Sequence, residues 1–423
     1  MAFEKVSDRV QQLIRENDPR AAADLLAQTF RDKNPQLFNI ALVQQANIKK
    51  LADQGAAVIK IESREGDTCR LIGPAKGDMA AMYIAVNRGK RSIALDMKTP
   101  AATTILHALV RRADVVVNNF RPGVMDRLGL DDATLAALNP RLIRLNINGY
   151  GDTGPAAGDR CYDAVIQAVA GVAASHREHA TGNPGLVATL LVDKLTAITA
   201  AQAVSTALYA RERDGQGRRV DVSMLDAALA FQWPDAMYNH VFLDDAPAHF
   251  PELGATQKPW KTADGFVATM APQATEFAGQ CRALGVPELA HDPRFNTQRG
   301  RNRHALELRA LLEPLMAGFS TDAVQTNFRA NGAPLGRVNE RGTVVTDPQV
   351  AHNQALVQIE HGDVGRVRLA RPAARFDGQA LPPAGPAAHL GEHGAEVLAE
   401  LGYDAAQIAQ LVADGVLHVP SST

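Results

Sequence analysis

Between Ala56 and Gly149 short strand-like runs alternate with helical segments, and that alternation leaves the chain few folds to choose from. The runs are "AAVIKIE" (56–62), "RSIALDM" (91–97), "DVVVNNF" (114–120) and "RLIRLNING" (141–149). Between them lie the helix "AATTILHALVRRA" (101–113), opened by Pro100, and the short helix "DDATLAALNP" (131–140). Strands alternating with helices at this spacing predict an α/β protein with a doubly wound, mostly parallel sheet. "RRVDVSML" (218–225) adds a further strand after a helix running from about Asp193 to Arg213.

The 423 residues exceed one ordinary core, so two domains are expected. The pattern changes near residue 225, where "KTADGFVATMA" and the helices "ATEFAGQCRALG" and "NRHALELRALLEPLM" read as a smaller α+β domain. The division is therefore a large domain over 1–215, a small domain over 225–335, and a C-terminal linker with helices, 336–423, returning to the large domain. The first fifty residues read as helices: "DPRAAADLLAQTF" (18–30) and "NPQLFNIALVQQANIKKLA" (34–52) each begin with an Asn or Asp cap followed by Pro.

A formal net charge of -2 argues against a nucleic-acid or anionic-membrane binder, since both need a cationic excess. No signal segment is apparent, and no apolar run reaches the roughly 18 residues of a membrane span. The three scattered cysteines, Cys69, Cys161 and Cys281, fit a reducing cytoplasm without a disulfide frame. His389 and His393 in "HLGEH" have i,i+4 spacing, but no third ligand is near, so no metal site is expected.

Several stretches carry candidate chemistry. "GYGDTG" (149–154) matches GxGxxG after a strand, yet Pro155 and further glycine stand where a phosphate-binding helix would begin. Arg88, Lys90, Arg91 and Lys98 crowd one strand, and Arg121 and Arg127 follow the next, so cations gather where a polyphosphate could lie. Asn119 and Phe120 offer an amide and a ring suited to a planar base. Two acids adjoin apolar sequence. Asp163 suits a helix cap. Asp193, in "LLVDKLTA", is either a cap or a sheltered carboxylate able to act as a covalent nucleophile, with the helix N-terminus and Lys194 favouring its ionised form.

Taken in order, "GAAVIKIE", "GDTCR", "NRGKRSIALDMKTP", "ADVVVNNFRPGVMDRLGLD", "NPRLIRLNINGYGDTGP", "YDAVIQAVAG", "VDKLTAITAAQAVSTALYARERDGQGRRVDVSMLDA", "DPRFNTQRGRNRHAL" and "PAAHLGEHGAEVLAELGYDAAQIAQL" resemble the class III coenzyme A transferases (CaiB/BaiF type) over roughly residues 55 to 415. The resemblance implies a Rossmann-like large domain and an interlocked ring homodimer. It implies an acyl-CoA:carboxylate CoA-transferase in which Asp193 forms first a mixed anhydride and then an aspartyl-CoA thioester. It places CoA contacts on Leu95, Lys98, Asn119, Phe120, Arg127, Asn148 and Gly149, with Arg70, Lys90 and Arg91 as further candidates for the phosphates. The partners implied are an acyl-CoA and a carboxylic acid acceptor, with coenzyme A as substrate and no metal or permanently bound cofactor.

Racemases of the same superfamily carry a histidine where this chain has Tyr162, which is a poor proton acceptor at neutral pH. Members usually begin with a strand and an Ala/Ser-Gly-Pro turn beside the CoA site. The helical reading of residues 34–52 conflicts with that strand and keeps a non-catalytic CoA-binding protein as an alternative. "HFPELGATQKPW" (249–260) stands where formyl-CoA transferase has a tetraglycine loop, which disfavours formate and oxalate.

Overall fold

The computed structural model describes residues 40–41 and 49–420, apart from 179–180, 245–248, 253–256 and 382–384. The chain divides into two units, each discontinuous in sequence. The first takes the chain up to Arg160, Asp193–Met224 and the chain from Val357 onward; the second takes Cys161–Val192 and Leu225–Leu356.

A seven-stranded sheet organises the first unit. Its strands are β1 (Ile40–Ala41), β2 (Val58–Glu62), β3 (Lys90–Leu95), β4 (Val115–Asn118), β5 (Ile143–Asn148), β6 (Arg218–Ser223) and β7 (Leu417–His418). They lie in the order β7-β3-β2-β1-β4-β5-β6, and all pair in parallel except β7, which runs antiparallel to β3. The order reverses direction at β1, with β2 on one side and β4 on the other.

Helices labelled here are α1 (Ala81–Asn87), α2 (Pro100–Arg112), α3 (Val124–Arg127), α4 (Asp132–Leu138), α5 (Leu191–Asp214), α6 (Gly394–Glu400) and α7 (Ala405–Ala413). Strand alternation divides the core between the sheet's two faces. Ile59, Ile61, Ile93, Leu95 and Val116 pack with α2 (Ile105, Leu106, Leu109) and α6 (Val397, Leu398). Val58, Val115, Val117, Ile143 and Leu145 point the other way, onto α5 through Ala200, Val204 and Ala207. Small residues at these positions of α5 let a 24-residue helix lie close to the strands. Such burial carries the fold: emptying the fully buried Leu106 to Ala would cost about 2–5 kcal/mol.

The residues expected to form strands and helices from 56 to 225 do so within a few positions. One expectation fails. Residues 34–52 are not one helix, because Ile40–Ala41 forms a strand paired in parallel with both β2 and β4. A short apolar run reads equally well as helix or buried strand, and hydrogen bonding to two neighbouring strands decides it. Lys49–Ala52 is helical. The expected helix over 18–30 lies outside the described residues.

The second unit has its own core. A three-stranded antiparallel sheet (Trp260–Lys261, Phe266–Ala268, Gly336–Arg337) contributes Val267. Against it pack Leu312 and Met316 of the helix Ala305–Ala317 and Val324 and Phe328 of the helix Thr321–Ala330. Among the described residues, no helix is long and apolar enough to cross a membrane.

Candidate active site

The carboxyl ends of the parallel strands are where an open α/β sheet exposes its loops to a ligand. After β4 the chain turns through Asn119 and Phe120, both half-buried, into the exposed Arg121 and Pro122. Asn118 Oδ1 accepts the Phe120 backbone N–H at 3.2 Å, which fixes the start of that turn. Gly123, at φ 78°, closes it, and a Cβ there would lie 3.5 Å from Arg127 Nη1. The Arg127 guanidinium of α3 therefore folds back over the loop. A cavity of about 240 Å³ opens here, lined among others by Asn118, Phe120, Arg121, Met125, Asn146 and Asp152.

The next loop meets the same crevice. Asn148, at the end of β5, accepts the Gly151 N–H through Oδ1 at 2.5 Å and donates to Asp152 Oδ1 at 2.9 Å. Gly149 follows directly, and Gly151 at φ 106° needs its missing side chain. No helix begins in residues 149–160. GxGxxG thus forms a knotted polar turn, with Asp152 also paired to Arg219 of β6, and no helix N-terminus is available there for a pyrophosphate.

Lys98 stands exposed just beyond β3, its backbone N–H donating to Asp96 Oδ1 at 3.2 Å. Leu95, by contrast, is fully buried in the core, so its side chain meets protein and only its backbone can face a ligand.

Asp193 lies in the first turn of α5, not at its cap, because the helix already begins at Leu191. It is half-buried, between the sealed Val192 and Thr196, while Lys194 is exposed. A carboxylate in the first turn of a long helix faces the positive end of the backbone dipole, which favours its ionised form.

Of the other cations proposed for the phosphates, Arg70 and Lys90 are held inside the protein and Arg91 is paired near its surface. Arg70 is buried, donating through Nε and Nη2 to both Glu62 oxygens (3.0 and 2.9 Å) and stacking over the Tyr83 ring. Lys90 is 3% exposed and donates to Asn87 Oδ1 at 2.9 Å. Arg91 reaches the surface and pairs with Glu396 and Glu400 of α6. As phosphate ligands these three are placed unfavourably, because desolvated or carboxylate-paired heads are not presented to the crevice.

Arg70 and Lys90 belong to an ionic network on the α5 side of β2 and β3. Lys60 bonds Asp67 at 2.6 Å, Ser92 Oγ donates to Glu62 Oε2 at 2.8 Å, and Asp67 accepts the Cys69 N–H at 2.9 Å. Burial alone would raise the Glu62 pKa, but hydrogen bonding from Arg70 and the Lys60 and Arg70 charges hold it below the ordinary range. Burial, with the Lys60 charge beside it, pulls the Lys90 ammonium down to about 7. Burial and the charges of Asp67 and Asp193 push the Cys69 thiol up to about 11. The sequence reading missed this network, although "KIE" in β2 and "KRS" in β3, polar residues alternating inside buried strands, were its signal.

In the second unit Asp163 opens the helix Asp163–Val169 as its first residue instead of its cap, and its buried carboxylate accepts from Gln167 at 2.5 Å. Tyr162 before it is 71% exposed. His389 bridges Asp78 (2.8 Å) and Asp363 (3.2 Å); burial works against its protonation, but the two carboxylates hold its pKa above the ordinary value. Among the described residues, no group of three His, Cys, Asp or Glu is arranged to hold a metal ion.

Comparison with known proteins adds the following. Residues 44–394 match the model of a family described as CoA-transferase family III. A succinate--glutarate CoA-transferase of Agrobacterium fabrum is 33% identical over 388 residues, covering 88% of this chain and 96% of the relative. An acetyl-CoA:oxalate CoA-transferase of Acetobacter aceti is 36% identical over 320 residues, covering 73% and 80%. The crystal structure of a CAIB/BAIF family protein from Brucella suis superposes with a TM-score of 0.72 at 31% identity, covering 86% of this chain and 98% of that one.

Proposed function

This chain belongs to CoA-transferase family III and is an enzyme of the transferase type, and we propose that it exchanges CoA between an acyl-CoA and a carboxylic acid through covalent intermediates on Asp193. The observation that carries the reading is the setting of Asp193: a half-buried carboxylate in the first turn of α5, flanked by the buried Val192 and the exposed Lys194.

A carboxylate Oδ of Asp193 attacks the thioester carbonyl carbon. The C–S bond breaks, giving a mixed anhydride and a CoA thiolate. The thiolate then attacks the aspartyl carbonyl, releasing the donor's carboxylate and leaving an aspartyl-CoA thioester. The acceptor carboxylate reverses the two steps with its own acyl group. Each step exchanges one leaving group for another of similar stability, so no step needs the expulsion of an oxide from a carboxylate.

CoA is read as lying along the carboxyl ends of β3, β4 and β5. Lys98, Arg121 and Arg127 are suited to its phosphates, Asn119 and Phe120 to its base, and Asn148 and Gly149 to the wall beside them. Leu95 contributes backbone only. Succinate, glutarate and oxalate, named for the two relatives, are dicarboxylates, so small dicarboxylates are the first acceptors to test. The large unit is read as Rossmann-like and the active form as an interlocked homodimer, in keeping with exposed Ile198 and Tyr209 on α5. A cytoplasmic setting agrees with three widely scattered cysteines.

The test is intact-protein mass spectrometry after incubation with succinyl-CoA, with borohydride or hydroxylamine trapping. A CoA adduct on the peptide holding Asp193, absent in Asp193→Ala together with at least about a thousandfold of the transfer rate, is the expected result. Transfer persisting in Asp193→Ala would overturn the reading. Deuterium wash-in at the acyl α-carbon without CoA exchange would point to a racemase instead.

A further inference from the structure

Three segments far apart in sequence meet at one imidazole. His389 lies on the stretch 386–393 of the first unit, and its two ring nitrogens face two carboxylates, Nδ1 toward Asp78 at 2.8 Å and Nε2 toward Asp363 at 3.2 Å. Asp78 sits in the tip of the hairpin formed by Ala75–Lys76 and Met79–Ala80, and Asp363 in the short helical turn Gly362–Val364. A neutral imidazole has one N–H and one lone pair, so only the imidazolium donates to both carboxylates at once. Three further charged groups surround the ring. Arg70 Nη1 lies 3.7 Å from Asp78, Lys76 donates to the Val364 carbonyl at 2.6 Å, and Glu392 accepts the His389 backbone N–H at 2.7 Å.

The backbone carrying the ring is anchored. The Ala387 N–H donates to His361 Nε2 at 3.0 Å, the Ala388 carbonyl accepts from Arg70 Nη2 at 3.3 Å, and the Gly391 N–H donates to Ser92 Oγ at 3.0 Å. The two carboxylates are carried on lighter pieces. Residues 71–78 are exposed throughout, and the turn holding Asp363 is flanked by Gly362 at φ 47° and Gly365 at φ 80°. Independently of the ring, hairpin and turn are joined by Lys76 on the Val364 carbonyl and by Met79 and Val364 in one apolar cluster. The hairpin follows the carboxyl end of β2, the end of the sheet at which the crevice opens, so what restrains it restrains part of that rim.

We propose that His389 is a proton-controlled clasp: charged, it locks the hairpin 75–80 to the turn 362–364, and neutral, it lets Asp363 and its turn part from the hairpin. Asp363 is the partner that leaves. Its contact is the longer one, its side chain is 72% exposed against 49% for Asp78, and Asp78 keeps the Arg70 guanidinium beside it. Once the proton is gone, the remaining N–H stays with Asp78 and a lone pair faces Asp363, so attraction on that side turns to repulsion. The two carboxylates hold His389 above the ordinary imidazole value of 6.5, against the opposing effect of burial. The clasp is therefore closed below that value and opens as pH rises through the folded-state pKa.

The experiment uses the full chain at constant ionic strength. Histidine-labelled NMR, with the His389 signal assigned by its loss in His389→Gln, is expected to give a midpoint above 6.5 that falls in both Asp78→Asn and Asp363→Asn. Hydrogen exchange read by mass spectrometry, corrected for the intrinsic rise of exchange with pH, then follows the clasp itself. Protection of the segments 72–80 and 360–366 is expected to drop about three- to tenfold as pH rises through that midpoint. In His389→Gln it is low and flat with pH, while Asp363→Asn, a change at an exposed side chain, removes most of the pH dependence with the fold intact. A ring that served packing alone would leave protection independent of its proton. A midpoint at or below 6.5, wild-type protection that does not change across the midpoint, or an undiminished pH dependence in His389→Gln overturns the proposal.

Discussion

The carboxyl-end crevice after β4 and β5 and the sealed network on β2 and β3 are built from the same residue types on one sheet, yet they behave oppositely. At the carboxyl ends of β3 and β4, Lys98, Arg121 and Arg127 are exposed and able to meet a polyanion. In the network, Lys60, Arg70 and Lys90 are 0–6% exposed and held to protein groups. Exposure makes a cation a ligand for something else. Burial makes it part of the scaffold, where each charge needs a partner and each proton responds to its neighbours.

The comparison can be broken most forcefully from the sealed side. Glu62→Ala leaves the Arg70 guanidinium buried without its bidentate partner, and should cost about 3–5 kcal/mol, read by chemical denaturation. The pH dependence has a definite sign. Glu62 is held below its ordinary pKa of 4.5, so its contribution is present above that value and is lost as pH falls through the folded-state pKa. Wild type should therefore lose stability in acid more steeply than Glu62→Gln, and parallel acid unfolding curves would contradict the assignment.

On the open side, Lys98→Ala and Arg127→Ala should leave the fold intact and raise the KM for acyl-CoA about tenfold each. Their effect should shrink as salt is added, because exposed charge pairs are screened. An unchanged KM in both would remove the crevice as the phosphate site. The smallest effect belongs to the boundary case. Arg91 pairs with two carboxylates of α6 that are 46–58% exposed, so Arg91→Ala should cost less than about 1 kcal/mol and leave KM unchanged.

Much of the fold was legible from residue 56 onward. "AAVIKIE", "DVVVNNF" and "RLIRLNING" carry buried-strand patterns, and Pro100 and Asp131 mark helix starts that the structure keeps. Two strands were not legible. β1 sits in an apolar stretch that reads as helix, and β7 is only two residues long and follows a helix pair, so both exist only through pairing with distant strands. Of the proposed site residues, the exposed Lys98 and Arg127, the half-buried Phe120 and the first-turn Asp193 could be singled out because loops and helix ends announce themselves locally. Arg70 and Lys90 were misleading for the same reason: a basic residue in sequence carries no mark of whether its head meets water or Glu62.

The sequence by itself determined the alternating α/β order, the membership of the family and the acid at position 193, because periodicity, caps and ordered motifs are local properties of the chain. Only the tertiary structure decided that Ile40–Ala41 joins the sheet between β2 and β4 and that Lys60, Arg70 and Lys90 are enclosed with two carboxylates on the face carrying α5. Strand pairing and desolvation depend on residues brought together from distant parts of the chain, and neither is written in any one stretch of it.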